Sequence, residues 1–163
     1  AQNAYMVSCL LAQHGFVYLE APFIVQLLPA MLAAARGAVF NGIPPYDLWE
    51  HPPELGKIPP HGSDAGSYLI AEVFGARSVI LLKDVDGVFT ADPKLHAGAT
   101  FIPEVRAADL LEMRLPTLPI EPQVLHLLRR AKLAKSIRIV NGLVKGNLSR
   151  ALAGDPIGTL IVA

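Results

Sequence analysis

Ser78-Val79-Ile80-Leu81-Leu82-Lys83-Asp84-Val85-Asp86-Gly87-Val88-Phe89-Thr90-Ala91-Asp92-Pro93-Lys94 changes character at its middle. Val79 to Leu82 form an unbroken apolar run, as in a strand buried on both faces of a parallel sheet. From Lys83 onward charge, glycine and proline take over, so the chain leaves the strand's carboxyl end in a turn. Open α/β sheets bind ligands at that end. Asp86-Gly87 suits a tight turn, Phe89 offers a flat apolar face, and Lys83 and Lys94 bring ammonium groups near it. A ring beside two lysines suits a nucleotide, with stacking for the base and point charges for the phosphates. A β-turn with solvated charges accounts for the same residues equally well, and residue types alone do not separate the two.

The chain on either side predicts alternating strands and helices. Residues 2–14 carry Tyr5, Met6, Cys9 and Leu10 at helical spacing, with Gly15 as the stop. Cys9 falls on that apolar face as a core thiol. Strands are predicted at 16–19, 38–40, 137–140 and 159–162, and helices at 22–36, 63–74, 107–113, 121–135 and 147–152. Ser63 is a good N-cap, with Asp64 in the first turn and Gly75 as the stop. Arg129, Arg130, Lys132 and Lys135 read as the basic end of the 121–135 helix, a solvated face that complements its dipole. Residues 42–62 differ from the rest. They hold Pro44, Pro45, Pro52, Pro53, Pro59 and Pro60, six of the 14 prolines. That density forbids helix and ladder, which predicts a long rigid loop of the kind that usually has a function. Apolar strands alternating with helices imply an α/β fold with a parallel sheet covered on both faces.

Composition narrows the function. The 163 residues include 14 basic and 14 acidic side chains, and the formal net charge is zero. A neutral chain argues against nucleic acid or an anionic membrane as partner. Charged residues make up 17% and hydrophobic ones 52%, against a usual ~25% charged. So little charge leaves apolar surface uncovered, which predicts an oligomer. A single Cys suits a reducing, cytoplasmic setting. No run reaches the ~20 apolar residues of a membrane span, and no signal peptide is visible. No nucleophile elbow or Ser-His-Asp order supports acyl transfer.

The segment from Val85 to Lys94 resembles the nucleotide segment of the amino acid kinase family, which includes uridylate kinases, aspartokinases and carbamate kinases. His61-Gly62-Ser63-Asp64-Ala65-Gly66 lies where the family starts a helix facing the transferred phosphate. Gly146-Asn147-Leu148 and Gly158-Thr159-Leu160-Ile161 resemble its closing helix and last strand. The resemblance implies a three-layer αβα sandwich with a mainly parallel sheet. It places ATP across the strand ends, with Lys83, Asp84, Asp86, Gly87, Phe89, Asp92 and Lys94 around it. Asp64 then takes the catalytic position near Mg²⁺ or the terminal phosphate. The family's opening strand, with its Lys and Gly-Gly pair, is not among these residues. Residues 1–163 are therefore expected to form a single domain, the C-terminal part of that fold and about 60% of it. ATP hydrolysis is expected only in a full-length oligomer.

Within the family, Gln2-Asn3-Ala4, Gly42-Ile43-Pro44-Pro45-Tyr46, Ile58-Pro59-Pro60 and Val140-Asn141-Gly142-Leu143-Val144 resemble the branch that stores molybdenum, nearer its beta-type subunit. That implies an ATP-binding subunit of a hexameric cage, built with an alpha-type partner, which packs molybdate (or tungstate) into polyoxomolybdate clusters at the expense of ATP. Glu20 aligns with a cluster-touching glutamate of the alpha-type subunit, although a solvated strand-end carboxylate accounts for it as well. His51 and His61 border the proline-rich loop. As imidazolium groups they could bind oxoanions, and plain surface histidines are the simpler alternative. The rival function is a uridylate kinase-like phosphotransferase acting on a nucleoside monophosphate.

Overall fold

The computed structural model describes residues 2–42 and 62–163. They fall into two compact units, Ala1–Ile70 and Ala71–Ala163. Most of the proline-rich loop, with His51 and His61, lies outside the described residues.

In the first unit, helix α1 (Gln2–Leu11) runs into a 3-10 turn (Ala12–His14) that stops at Gly15, as expected. Strand β1 (Phe16–Tyr18), helix α2 (Ile24–Ala34) and strand β2 (Gly37–Val39) make a strand–helix–strand unit. Its strands pair in parallel, Phe16 opposite Gly37. Helix α3 (Ser63–Val73) follows, with its residues 71–73 belonging to the second unit. Two expectations are corrected here. Cys9 is exposed rather than in the core, and so are Tyr5, Met6 and Leu10. α1 meets β1 and β2, with Tyr5 edge-on to Tyr18 of β1 at 5.7 Å between ring centroids, and Ser8 is the only buried residue of this helix. The Ser8 hydroxyl is satisfied by the Tyr5 carbonyl at 2.7 Å. Because α1 is apolar almost all round, periodicity could not tell which side would be covered. The second correction concerns the start of α3. Ser63 is already helical, and the Gly62 carbonyl accepts the first helical bond from the Gly66 N–H at 3.1 Å.

The second unit is built on a four-stranded sheet. Strand β3 (Ile80–Lys83) lies next to β7 (Ser136–Asn141), then β8 (Thr159–Val162), then β6 (Glu104–Arg106). Ile137, Ile139, Val140 and Ile161 are fully buried, so β7 and β8 carry its centre. Helix α4 (Ala107–Glu112) and helix α5 (Pro122–Leu128) pack beside one another, burying Leu110, Val124, Leu125 and Leu128. β3 and β7 are parallel, as are β6 and β8, but β8 runs antiparallel to β7. The sheet is thus mixed, with two parallel pairs and one antiparallel, in keeping with the mainly parallel sheet expected. Helix α6 (Asn147–Ala153) lies in the connection between β7 and β8. β8 begins beside the carboxyl half of β7, with Thr159 opposite Ile139, so the chain re-enters the sheet near the end it left and runs back in the opposite sense.

Helix α5 also ends sooner than expected, at Leu128. Residues 129–131 fold as tight turns, with bonds such as Arg130 N–H to the Leu127 carbonyl. Beyond them the Glu72 carboxylate accepts the N–H groups of Lys132, Leu133 and Ala134 at 2.7–3.2 Å. An acceptor from outside the helix takes the donors that would have continued it. Arg129 caps the helix end, its N–H on the Leu125 carbonyl, while Arg130 and Lys132 lie in the turns beyond and Lys135 directly precedes β7. No described helix is long and apolar enough to cross a membrane.

Candidate functional site

The turn that leaves β3 becomes the base of a two-stranded arm. Strand β4 (Val88–Phe89) pairs antiparallel with β5 (Phe101–Ile102), and strands of two residues left no periodic signal in the sequence. Thr90 and Thr100 extend the pairing, with the Thr90 N–H donating to the Thr100 carbonyl at 3.0 Å. The loop beyond is folded on Asp92. Its carboxylate accepts the Lys94 N–H at 2.8 Å, and its carbonyl accepts those of Leu95 and His96. Asp92 shapes the loop in the way expected of a short polar side chain that bonds its own backbone.

Three further contacts fix the base of the arm. Lys94 Nζ reaches back to Asp84 Oδ2 at 2.7 Å, joining the two ends of the 84–94 segment. This ammonium holds the Asp84 carboxyl below its ordinary range, and the carboxylate holds Lys94 above its own. Asp86 Oδ1 accepts from Asn141 Nδ2 at 2.9 Å, which ties the turn to the end of β7. The Val88 N–H donates to Thr159 Oγ1 at 2.8 Å, which ties it to the start of β8. At the end of β3, the Lys83 carbonyl accepts the Gly142 N–H at 2.8 Å.

These contacts shape a cavity of about 180 Å³, walled by the 84–94 turn and by Thr117, Leu118 and Pro119. Asp84, Gly87, Phe89, Asp92 and Lys94 all line it, so five of the seven residues expected around the nucleotide meet there. Asp86 faces a different, more open groove, which it shares with Phe89, Phe101, Asn141, Asn147 and Arg150. Lys83 is half-buried at the end of β3 and is not in the cavity lining. The Phe89 ring is braced by Phe101, with centroids 5.4 Å apart and planes at 60°. Drug-sized ligands usually fill about 300 Å³ or more, so this cavity has room for one ring system, with anything attached to it lying outside.

The other expected site residues lie elsewhere. Asp64 sits half-buried in the first turn of α3. Glu20 is exposed just before a 3-10 turn and makes no capping bond to it. Among the described residues no three His, Cys, Asp or Glu side chains converge as a metal site. The sequence reading missed Asn141, Thr159 and the 117–119 wall. The one visible signal for Thr159 was a hydroxyl residue opening a strand otherwise made of Leu, Ile and Val.

The alternation of elements, the mixed sheet and a cavity at a strand's carboxyl end define an α/β protein, and that end is where such folds bind ligands. The sequence pattern described as the amino acid kinase family matches residues 9–141, and the chain belongs to that family. It is 44% identical over 162 residues to the molybdenum storage protein subunit beta of Azotobacter vinelandii, covering 99% of this chain and 60% of that one. The chain thus spans well under two thirds of the storage subunit. It is 31% identical over 157 residues to a uridylate kinase of Methanocella arvoryzae, covering 85% and 68%. In structure it resembles the UMP kinase of Bacillus anthracis, with a TM-score of 0.76, 21% identity and coverage of 98% and 64%. That likeness speaks for the fold alone. Against this fold the described units supply the helices and sheets of an α/β sandwich.

Proposed function

We propose that the chain is the nucleotide-binding part of a subunit in a cytoplasmic molybdenum or tungsten storage oligomer. The observation that carries this reading is 44% identity sustained over 99% of the chain with a named storage subunit. The uridylate kinase match is lower, at 31% over 85%. In this reading the purine enters the 180 Å³ cavity and stacks on Phe89, whose ring is already held by Phe101. Lys94 stands at the cavity with its charge shared with Asp84, and an incoming phosphate would compete for it. Lys83 serves the same phosphate side. The polyphosphate arrives with Mg²⁺, which keeps much of its water and takes only one or two carboxylates beside the phosphate oxygens. Asp64 is the carboxylate proposed for that place, which suits the absence of a larger cluster among the described residues.

The oligomer proposed is a hexameric cage with an alpha-type partner, storing molybdate as polyoxomolybdate and loaded by ATP hydrolysis. Glu20, His51 and His61 are the proposed contacts to that cargo. The competing reading, a uridylate kinase-like phosphotransferase, draws on the kinase relatives. Elemental analysis of the purified full-length oligomer separates the two. Molybdenum or tungsten far above one atom per chain is the expected result. Transfer of phosphate from ATP to UMP, with Mg²⁺ supplied, by a preparation that holds no molybdenum or tungsten would overturn the storage reading in favour of the kinase.

A further inference from the structure

We infer that Thr159 is the positioning residue of the nucleotide turn, holding the arm that carries Phe89 through its side-chain hydroxyl. Thr159 is fully buried and, with Ser8, is one of the two buried aliphatic hydroxyl side chains among the described residues. Its Oγ1 accepts the Val88 N–H at 2.8 Å and donates to the Ile102 carbonyl at 2.6 Å. Val88 and Ile102 stand opposite each other in the β4–β5 pair. One hydroxyl therefore engages both strands of the arm at the same rung. The residue that owns it is fixed in a different sheet, opposite Ile139 in the β7–β8 ladder.

The backbone around this hydroxyl leaves no space for anything larger. A Cβ on Gly87 would collide with Thr159 Oγ1 and stand 2.8 Å from the Phe101 ring, and a Cβ on Gly158 would run into the Ile139 carbonyl. Two glycines thus allow the turn, the arm and β8 to meet around one oxygen. Gly87 and Phe89 both line the 180 Å³ cavity and lie on either side of Val88. Losing the hydroxyl would leave the buried Val88 amide and the half-buried Ile102 carbonyl without this partner, and the arm would have to shift to find others. The phosphate-side contacts Lys94–Asp84 and Asn141–Asp86 hold the turn at its other edge and do not replace this bond. The consequence for ligand binding rests on the nucleotide reading above. The positional role does not.

The test compares Thr159→Val, Thr159→Cys and Thr159→Ser in the assembled protein, with two readouts. The first is hydrogen exchange of peptides from 84–102 set against peptides from β7 and α4. The second is affinity for a non-hydrolysable ATP analogue. Val keeps the shape and loses the hydroxyl, Cys replaces it with a weak donor and acceptor, and Ser restores it. About tenfold faster exchange confined to 84–102, with analogue affinity about tenfold weaker, is expected for Val, a smaller effect for Cys and near wild-type behaviour for Ser. If Val does not assemble, the Cys and Ser variants carry the comparison. Exchange in 84–102 that is the same in Cys and Ser, or that rises equally in every element, would overturn the positional role. A wild-type protein that binds no analogue but shows the arm-specific exchange response would remove the nucleotide reading and leave the role of Thr159 supported.

Discussion

Lys94 and Asp84 show how a pair of exposed side chains can matter without adding much stability. Both are more than half exposed, and ion pairs of that kind contribute little to folding. What the pair does is close the 84–94 segment at the mouth of the cavity. Its pH dependence follows from the two shifts. Asp84 is lowered chiefly by its hydrogen bond from Lys94 and next by that ammonium's charge. Its share of the pairing is thus present above the ordinary carboxylate value of 3.8 and lost as pH falls through the lowered one. Lys94 is raised by its bond to Asp84. Its share is present below 10.5 and lost as pH rises through the raised value. The clasp is therefore closed across the whole neutral range. In the Lys94→Ala variant the Asp84 carboxyl should titrate upward toward 3.8, read by carboxyl-carbon NMR. An unchanged titration would show that the lysine is not seated on Asp84 in solution.

The elements show what local pattern can and cannot specify. The long helices were legible because apolar spacing, a stop glycine and a first-turn carboxylate all agreed. At the end of α3, for example, Gly75 follows and the Ala76 N–H returns to the Ala71 carbonyl, as a helix stop requires. The turn around Asp86 was legible from its Asp-Gly pair and Asp92-Pro93. Strands β4 and β5 were not, since two residues carry no period and their pairing is fixed by Thr159 from β8. The end of α5 was equally hidden, because Glu72 reads in the sequence only as a polar residue on α3. Its carboxylate, 60 residues before Lys132, accepts three consecutive amides. Partial burial pushes this carboxyl up, but the three amides and the charge of Lys135 outweigh it and leave it lowered from 4.5. Its contribution is accordingly full above that value and fades on acidification through the lowered one. Glu72→Ala should destabilise the protein by about 1–2 kcal/mol, because the amides keep only water as partner. Urea unfolding at neutral pH measures the loss, and the gap between variant and wild type should narrow in acid. A variant as stable as wild type at pH 7 would mean that the 132–134 turn holds without this carboxylate.

At the scale of the whole molecule, the shortage of charge has a structural counterpart in the first unit. Tyr5, Met6 and Leu10 on α1 are 59%, 63% and 71% exposed, and on α2 Val25 and Leu32 are about half exposed as well. Exposed apolar side chains like these are what a subunit interface covers. The α1 face is open to such a contact at Met6 and Leu10, as are the exposed Leu95, Leu143 and Leu152 elsewhere in the chain. Leu10 makes the cleanest probe. Being 71% exposed, it contributes little to the interior of its own unit, so a charge there should cost little folding stability. In a subunit contact the same charge would be desolvated without a partner, which is strongly unfavourable. Leu10→Lys is therefore expected to leave the melting of the separated subunit within a few degrees of wild type while shifting sedimentation of the assembled protein to smaller species. Full-size assemblies of Leu10→Lys at micromolar concentration would place the subunit contact on some other face and leave the exposure of α1 without this explanation.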